Sequence, residues 1–463
     1  MTHGEIAGIV AGLRSTFEAG TTKPLAWRVD QLKALRRMLV ERGGEFEAAL
    51  QSDLAKNPTE SQLAEIGFVV GEIDHTLKHL RKWLKPRGVA VPGAVMPARA
   101  SVMREPLGVV LVIAPWNYPI QLLLAPVVGA IAAGNAVLLK PSELASATSS
   151  AIARWVPKYL DRRAIAVVEG GVEESTELLA ERFDHIFYTG NSQVARIVMA
   201  AAVEHLTPVT LELGGKSPVY VDDTVDLDAA ARRIAWGKFM NAGQTCVAPD
   251  YLLATAEVAR KLEPALIAAT KELYGDDPQA SADYGRIINE KQFSRLSTLL
   301  DAGRRVVGGT IDSASRYIAP TVLADVPRDA EIMQHEIFGP ILPIITVSGL
   351  DEAIRLITAG EKPLALYVFS ESDRVRRRFL TETSSGAIGF GIPAAHLIVP
   401  GLPFGGVGES GTGGYHGENS LRTFSHEKAV LSKPLKPDTI RLISPPYTER
   451  KDRFIRGLLR KLG

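Results

Sequence analysis

From Leu107 to Leu139 the chain carries no charged residue, and this run constrains the fold more than any other feature of the sequence. It is long enough to span a bilayer. Yet Pro115, Pro119 and Pro126 interrupt it, and Asn117, Gln121 and Asn135 place polar groups within it. A buried strand, helix and second strand accommodate these residues better than one membrane-spanning helix.

The texture that begins there continues. Short apolar runs at Gly108–Ala114, Ala136–Leu139, Ile165–Val168, His185–Tyr188 and Val209–Leu213 read as strands. Helical patterns fall near 120–133, 144–160, 173–182 and 191–204. Strand–helix alternation of this kind indicates a parallel, doubly wound α/β sheet, which binds ligands beyond the carboxyl ends of its strands. A second α/β stretch runs from about 217 to 395, with strands such as Ile318–Val322 and Leu364–Ser370 between Pro- and Gly-rich loops. Upstream, residues 22–84 read as helices, stopped by Lys85-Pro86-Arg87-Gly88, and Val89–Val102 reads as a β-like excursion from the main body. No internal repeat or low-complexity tract interrupts this plan.

Composition narrows the function classes. A net charge of +1 supplies no global field for nucleic acid. The single cysteine excludes an internal disulfide, and with an N-terminus that shows no basic-then-apolar leader it favours the cytoplasm. The tail differs. Phe454, Ile455, Leu458, Leu459 and Leu462 form an apolar stripe, and the last 15 residues hold six basic side chains against two acidic ones. That pattern suits a helix packed on its own protein or on a partner subunit, with membrane-surface contact as the second reading.

Several motifs fail on inspection. Gly406-Val407-Gly408-Glu409-Ser410-Gly411 has the spacing of a dinucleotide fingerprint, but it follows Leu402-Pro403-Phe404 rather than a strand and reads as a mobile glycine loop. Gly215-Lys216-Ser217 lacks the first glycine of a P-loop, since position 210 is Thr210. His75 and His79 lack the glutamate of a zinc motif at position 76 and read as solvated helix residues.

Other strings carry chemistry. Lone cysteines are usually inert core residues, but Gly243-Gln244-Thr245 gives Cys246 a small, polar, flexible approach that suits a presented thiol. Glu212 lies at the end of an apolar strand, where a carboxylate is costly unless function employs it, and is a candidate general base. Pro115 and Pro119 stiffen the loop around Asn117, which can aim an amide at a substrate oxygen or equally close an Asx turn. Lys140-Pro141-Ser142-Glu143 follows a strand. It suits ribose hydroxyls at a nucleotide site, or a helix start capped by Ser142.

In combination, these strings resemble the aldehyde dehydrogenase superfamily over about residues 5–433. The matching pieces are Pro115–Pro119, Lys140–Glu143, Tyr188-Thr189-Gly190, Leu211-Glu212-Leu213-Gly214-Gly215-Lys216, Gly243–Cys246 and Glu336-Ile337-Phe338-Gly339-Pro340. Asn241–Asp250, Glu361–Tyr367, Leu402–Gly408 and Tyr415-His416-Gly417 point to the class 3 branch, which acts on fatty or aromatic aldehydes. The resemblance implies an α/β fold: a Rossmann-type NAD-binding domain (1–84 and 106–211), an α/β catalytic domain (212–395), a small β bridging and oligomerisation element (85–105 and 396–433), and a basic amphipathic tail (434–463). It implies NAD(P)-dependent oxidation of an aldehyde to its acid, with Cys246 as nucleophile, Asn117 and the Cys246 N–H as oxyanion donors, and Glu212 activating the hydrolytic water. Lys140 and Glu143 would bind the adenosine ribose, and Gly190, Asn191 and Ser192 the pyrophosphate turn. Glu336 and Phe338 would hold the nicotinamide ribose and ring, with Trp116, Leu213 and Gly214 also at the cofactor. A carboxylate at Glu143 makes NAD the default, with NADP open. A homodimer is expected.

Two departures bear on the pocket. Ala195 stands where a second glycine or close variant is usual, and is expected to tighten packing near the cofactor. Gly391-Ile392-Pro393-Ala394-Ala395-His396 lacks the asparagine common there and reshapes the substrate side. A CoA-acylating enzyme and a catalytically idle relative are the alternatives; retention of Glu212, Cys246 and Asn117 argues against both.

Overall fold

The computed structural model describes residues 3–460. The uncharged run folds as strand Val109–Ile113, helix Gln121–Ala133 and strand Ala136–Lys140. Every side chain of the helix is buried, so it lies inside the protein rather than in lipid. Among the described residues no helix is long and apolar enough to cross a membrane.

Val109–Ile113 sits within a six-stranded sheet. Its order is Gly411–Thr412, Val209–Glu212, His185–Thr189, Val109–Ile113, Ala136–Lys140, Ile165–Val167. All pairings are parallel except that of Gly411–Thr412. The chain runs outward from Val109–Ile113 in one direction and then returns on its other side. The crevice beyond the carboxyl ends therefore opens at this strand, as the doubly wound rule requires. The helices between the strands begin and end within a few residues of their sequence expectation, as at Ser146–Tyr159, Val172–Ala180 and Ser192–Val203.

Helix His3–Glu18 was not foreseen. Its Ile6, Val10 and Leu13 pack beside Val109, Leu111 and Leu138 on one face of the sheet. Helices Leu25–Glu41, Gly43–Leu54 and Gly67–Trp83 help cover the other.

A seven-stranded sheet follows, ordered Arg304–Val307, Thr321–Ala324, Ile341–Thr346, Tyr251–Ala254, Pro218–Val221, Ala365–Phe369, Ala387–Phe390. The strand expected at Ile318–Val322 is in fact two, Tyr317–Ile318 and Thr321–Ala324, in different sheets. Pro320 lies between them and has no N–H to donate to a ladder. A third sheet joins Arg87–Val89, Arg99–Pro106 and Ser425–Ser432.

Two further sequence expectations are corrected here. The 406–411 glycine segment is not a free loop. Gly408 bridges Gly411, and Gly411 then pairs with Glu212 as an added strand of the first sheet. His75 and His79 are half-buried, with ring centroids 4.3 Å apart, and His79 stacks on Trp83. Helix Glu449–Leu459 leaves its stripe uncovered by this chain, Phe454 being 48% and Leu459 62% exposed, so of the expected covers a partner subunit or a membrane surface remains. Leu462 of the same stripe lies outside the described residues.

Candidate active site

The loop after Val109–Ile113 lies where the crevice opens. Helix Gln121–Ala133 begins directly behind it, so the backbone from Pro115 to Ile120 is held at both ends. Asn117 is 2% exposed. Its Nδ2 donates to Gln244 O at 2.9 Å. One N–H is therefore engaged in placing the amide, and the second remains for a ligand. Tyr118 Oη and Thr245 Oγ1 lie 2.8 Å apart, which ties this loop to the residue before Cys246.

Cys246 follows a strained turn. Asn241 and Ala242 have φ of 52° and 51°, and Gly243 has φ of 74°. Left-handed conformations at two non-glycine residues persist only where the surroundings fix them. Gln244 does the fixing. Fully buried, it donates to Asn241 O and Arg286 O, each at 3.0 Å, and accepts from Ile288 N at 3.0 Å. The approach to the thiol is thus locked rather than flexible. Glycine at 243 is required by proximity as well, since a Cβ there would lie 2.2 Å from Gly339 O.

The half-buried thiol is pushed up to about 12, first by burial and then by the charges of Glu336 and Glu212. The Cys246 and Val247 backbone N–H groups oppose that shift. Glu212 ends strand Val209–Glu212 and is 1% exposed. Neither carboxylate oxygen has a hydrogen-bond partner among the described residues, and burial holds the group well above the usual carboxylate range. A buried carboxyl with no partner is unusual and needs an explanation in solvent, ligand or chemistry.

One cavity of about 470 Å³ joins these groups to a second set. It is lined by Trp116, Asn117, Lys140, Glu143, Gly190, Asn191, Glu212, Leu213, Gly214, Cys246, Glu336 and Phe338. Of the candidate catalytic and cofactor-binding residues, Ser192 alone is absent from this wall. It lines an adjoining cavity of about 450 Å³. Lys140 Nζ is 3.9 Å from Glu143 Oε2 and donates to Pro141 O and Gly170 O at 2.9 and 2.7 Å. Ser142 accepts from Leu144 N at 3.3 Å and closes a turn, while the next helix starts only at Ser146. Asp53 reaches that helix instead, accepting from Ala147 N and Thr148 N at 3.0 and 2.8 Å.

Two glycines keep the cavity wall bare. A Cβ on Gly190 would meet Tyr188 Oη at 2.2 Å, and one on Gly214 would meet Glu336 Oε2 at 2.1 Å. Asn191 caps helix Ser192–Val203, accepting from Val194 N at 2.9 Å, so a helix N-terminus faces the cavity beside a bare backbone turn. This is the environment a pyrophosphate requires. A half-exposed carboxylate beside a lysine, at the end of a strand, suits ribose hydroxyls. The residues present therefore fit a dinucleotide. Phe338 meets Trp116 edge-on at 5.4 Å, and Glu336 is held up at about 8 by burial. Ala195, by contrast, faces the sheet core at 2% exposure and does not line the cavity.

The sequence reading missed the supports. Gln244, Asn241 and Tyr118 lock the loops, Tyr367 Oη donates to Val247 O at 2.6 Å, and Lys56 and Glu65 form a buried ion pair behind Asn117. Lys56 lies between two helices, nine residues before Glu65, and nothing local marked that pair.

Comparison with known proteins agrees with this geometry. The aldehyde dehydrogenase family matches residues 2–430. The dimeric NADP-preferring aldehyde dehydrogenase of Mus musculus is 51% identical over 431 residues, 93% of this chain and 95% of that protein. Aldehyde dehydrogenase family 3 member A2 of the same species is 49% identical, covering 98% of this chain and 94% of that protein. The substrate-bound state of Staphylococcus aureus AldH superposes with a TM-score of 0.95 at 43% identity, covering 98% of this chain and 99% of that one.

Proposed function

The chain belongs to the aldehyde dehydrogenase family, in its class 3 branch, and from that premise we propose that Cys246, Glu212 and Asn117 oxidise medium- or long-chain aliphatic or aromatic aldehydes in this cleft. The reaction class is NAD(P)-dependent oxidation of an aldehyde to the carboxylic acid. The observation that carries the residue assignment is one cavity whose wall holds the thiol, the unpartnered carboxyl and the amide together with the Lys140–Glu143 pair.

Cys246 Sγ passes its proton to water and, as thiolate, bonds to the aldehyde carbon, whose oxygen takes the carbonyl π pair and becomes an oxyanion. The second Asn117 N–H and the Cys246 N–H hold that charge, one such donor being worth about 3–4 kcal/mol in a transition state. Bound NAD(P) supplies the hydride acceptor. Loss of hydride from the tetrahedral carbon leaves a thioester on Cys246. Glu212 takes a proton from water, the resulting hydroxide attacks the thioester carbon, and the carbon–sulfur bond breaks to release the acid. A retained base at Glu212 favours water over CoA as the acyl acceptor.

Lys140, Glu143, Gly190 and Asn191 hold the adenosine and pyrophosphate end, with Ser192 opening the helix behind them. Trp116, Leu213, Gly214, Glu336 and Phe338 hold the nicotinamide end. Glu143 is 47% exposed at its side chain, and both NAD and NADP are taken as cofactors of this site. The test is NAD(P)H formation with aldehydes from benzaldehyde to long aliphatic chains, each cofactor in turn, without CoA. Turnover that appears only on adding CoA would replace hydrolysis by acyl transfer.

The same reading includes a cytoplasmic homodimer. Several relatives are named dimeric, and this chain leaves strand Ser425–Ser432 exposed at the edge of its sheet and Ala387–Phe390 at the edge of another. Unpaired edges call for a cover, which a second copy supplies. Light scattering that returned a monomer mass would remove this part. Helix Glu449–Leu459, with exposed Phe454 and Leu459 among Arg450, Arg453 and Arg456, is proposed to touch anionic membrane surfaces. Cosedimentation with anionic vesicles tests it.

A further inference from the structure

Lys56 and Glu65 are joined at 2.6 Å, and neither side chain has any exposed surface. Taking two charges out of water costs several kcal/mol per ion, and a buried pair of this kind often adds no more stability than apolar residues of similar volume. Its presence calls for a reason in geometry.

The partners supply one, because they converge on a single short segment. Lys56 Nζ donates to Asn117 O at 3.0 Å and lies 4.1 Å over the Tyr118 ring. Glu65 Oε2 accepts from Ile120 N at 3.0 Å and Gln121 N at 2.9 Å, the amides that open helix Gln121–Ala133. The ammonium therefore holds the main chain of Asn117, and the carboxylate holds the residues that end its loop. Asn241 Nδ2 shares the Asn117 carbonyl at 2.8 Å, and Tyr118 Oη meets Thr245 Oγ1. Both links run to the Cys246 turn. A shift of Lys56 or Glu65 thus moves Asn117 relative to Cys246 without touching the cavity, since neither residue lines it.

We propose that the buried Lys56–Glu65 pair is a positioning device that sets the Asn117 amide against Cys246. The inference rests on the reading of Asn117 as oxyanion donor. An error of about 1 Å in such a placement costs on the order of 10²-fold in rate, while binding is largely kept.

The experiment separates positioning from folding. Removing one charge strands the other, so the double variant Lys56→Met/Glu65→Leu is made in the full chain, with Glu65→Gln as a milder companion. Thermal melts, NAD(P) affinity, aldehyde KM and the rate of the first hydride transfer are measured. The double variant is expected to melt below wild type, because the Ile120 and Gln121 amides lose their acceptor, yet to fold and keep cofactor affinity and KM, while hydride transfer falls about 10²-fold. Glu65→Gln is expected to lose about tenfold, and it decides the matter if the double variant does not fold. In an Asn117→Ala background the pair substitutions should cost less than about threefold further, because they act through Asn117.

A folded variant with hydride transfer within about threefold of wild type overturns the proposal, as does a full loss that persists in the Asn117→Ala background. If Asn117→Ala alone leaves the rate unchanged, the oxyanion reading fails and the positioning proposal falls with it. A normal loss in Asn117→Ala beside active pair variants sinks the positioning proposal alone.

Discussion

Around Cys246 the ionisable groups are few and enclosed; along helix Glu449–Leu459 they are many and exposed. In the cleft, Glu212 has no hydrogen-bond partner among the described residues and burial raises its proton affinity, and the thiol is raised for the same first reason. In the tail, Arg456 pairs with Asp452 at 2.8 Å in full view of solvent, and Phe454 lies bare beside them. An exposed pair of this kind contributes little, because water screens it. An enclosed carboxyl alters the chemistry around it, because water does not screen it. The cleft should therefore be intolerant of single-atom changes, and the tail tolerant of wholesale loss.

The largest contrast is expected from Cys246→Ala. No other thiol exists in the chain, so dehydrogenase turnover should vanish while cofactor still binds. Activity above background would break the comparison at its strongest point. Glu212→Gln comes next. It keeps shape and removes the base, so one NAD(P)H should form per site before the enzyme stalls as a thioester. Steady turnover near the wild-type rate would show that another group activates water.

A pH series sharpens the point with a smaller effect. Both groups work as their conjugate bases, and burial shifts both toward the protonated form. Below those raised values, turnover should climb by up to about tenfold per pH unit. Stability should move the other way. An acid whose folded pKa is raised contributes stability below its ordinary pKa and loses it as pH rises toward the raised one. Melting temperatures of wild type should thus decline through this window more steeply than those of Glu212→Gln. Equal slopes would mean that the cleft does not hold the proton.

Deleting residues 447–463 should have the smallest effect on chemistry, leaving hydride transfer intact. Vesicle binding, or the preference for long aldehydes, is what should change. A lost chemical step would erase the distinction between the two regions.

Legibility along the chain followed the same divide between local and distant causes. The first sheet could be read almost residue by residue, because each strand is a short apolar run between helical patterns and the pairings are parallel and buried. The second was harder. Tyr317–Ile318 and Thr321–Ala324 look continuous until Pro320 is seen to divide two sheets. Helix His3–Glu18 escaped because its apolar face is narrow: Ile6, Val10 and Leu13. The Gly406–Gly411 segment was rightly excluded as a nucleotide motif, but its pairing with Glu212 was invisible from spacing.

The chain's own residues settle that it alternates strands and helices, that one thiol is available, and that Glu212 ends an apolar strand, since these depend on neighbours within a few positions. Only the folded structure decides that Gln244 locks the Cys246 turn, that Glu336 packs over Gly214, and that Lys56 and Glu65 stand behind Asn117. Apart from the Gln244 bond to Asn241, those contacts join residues far apart in sequence. Their energy depends on burial and on distances of about 3 Å, which no local pattern encodes.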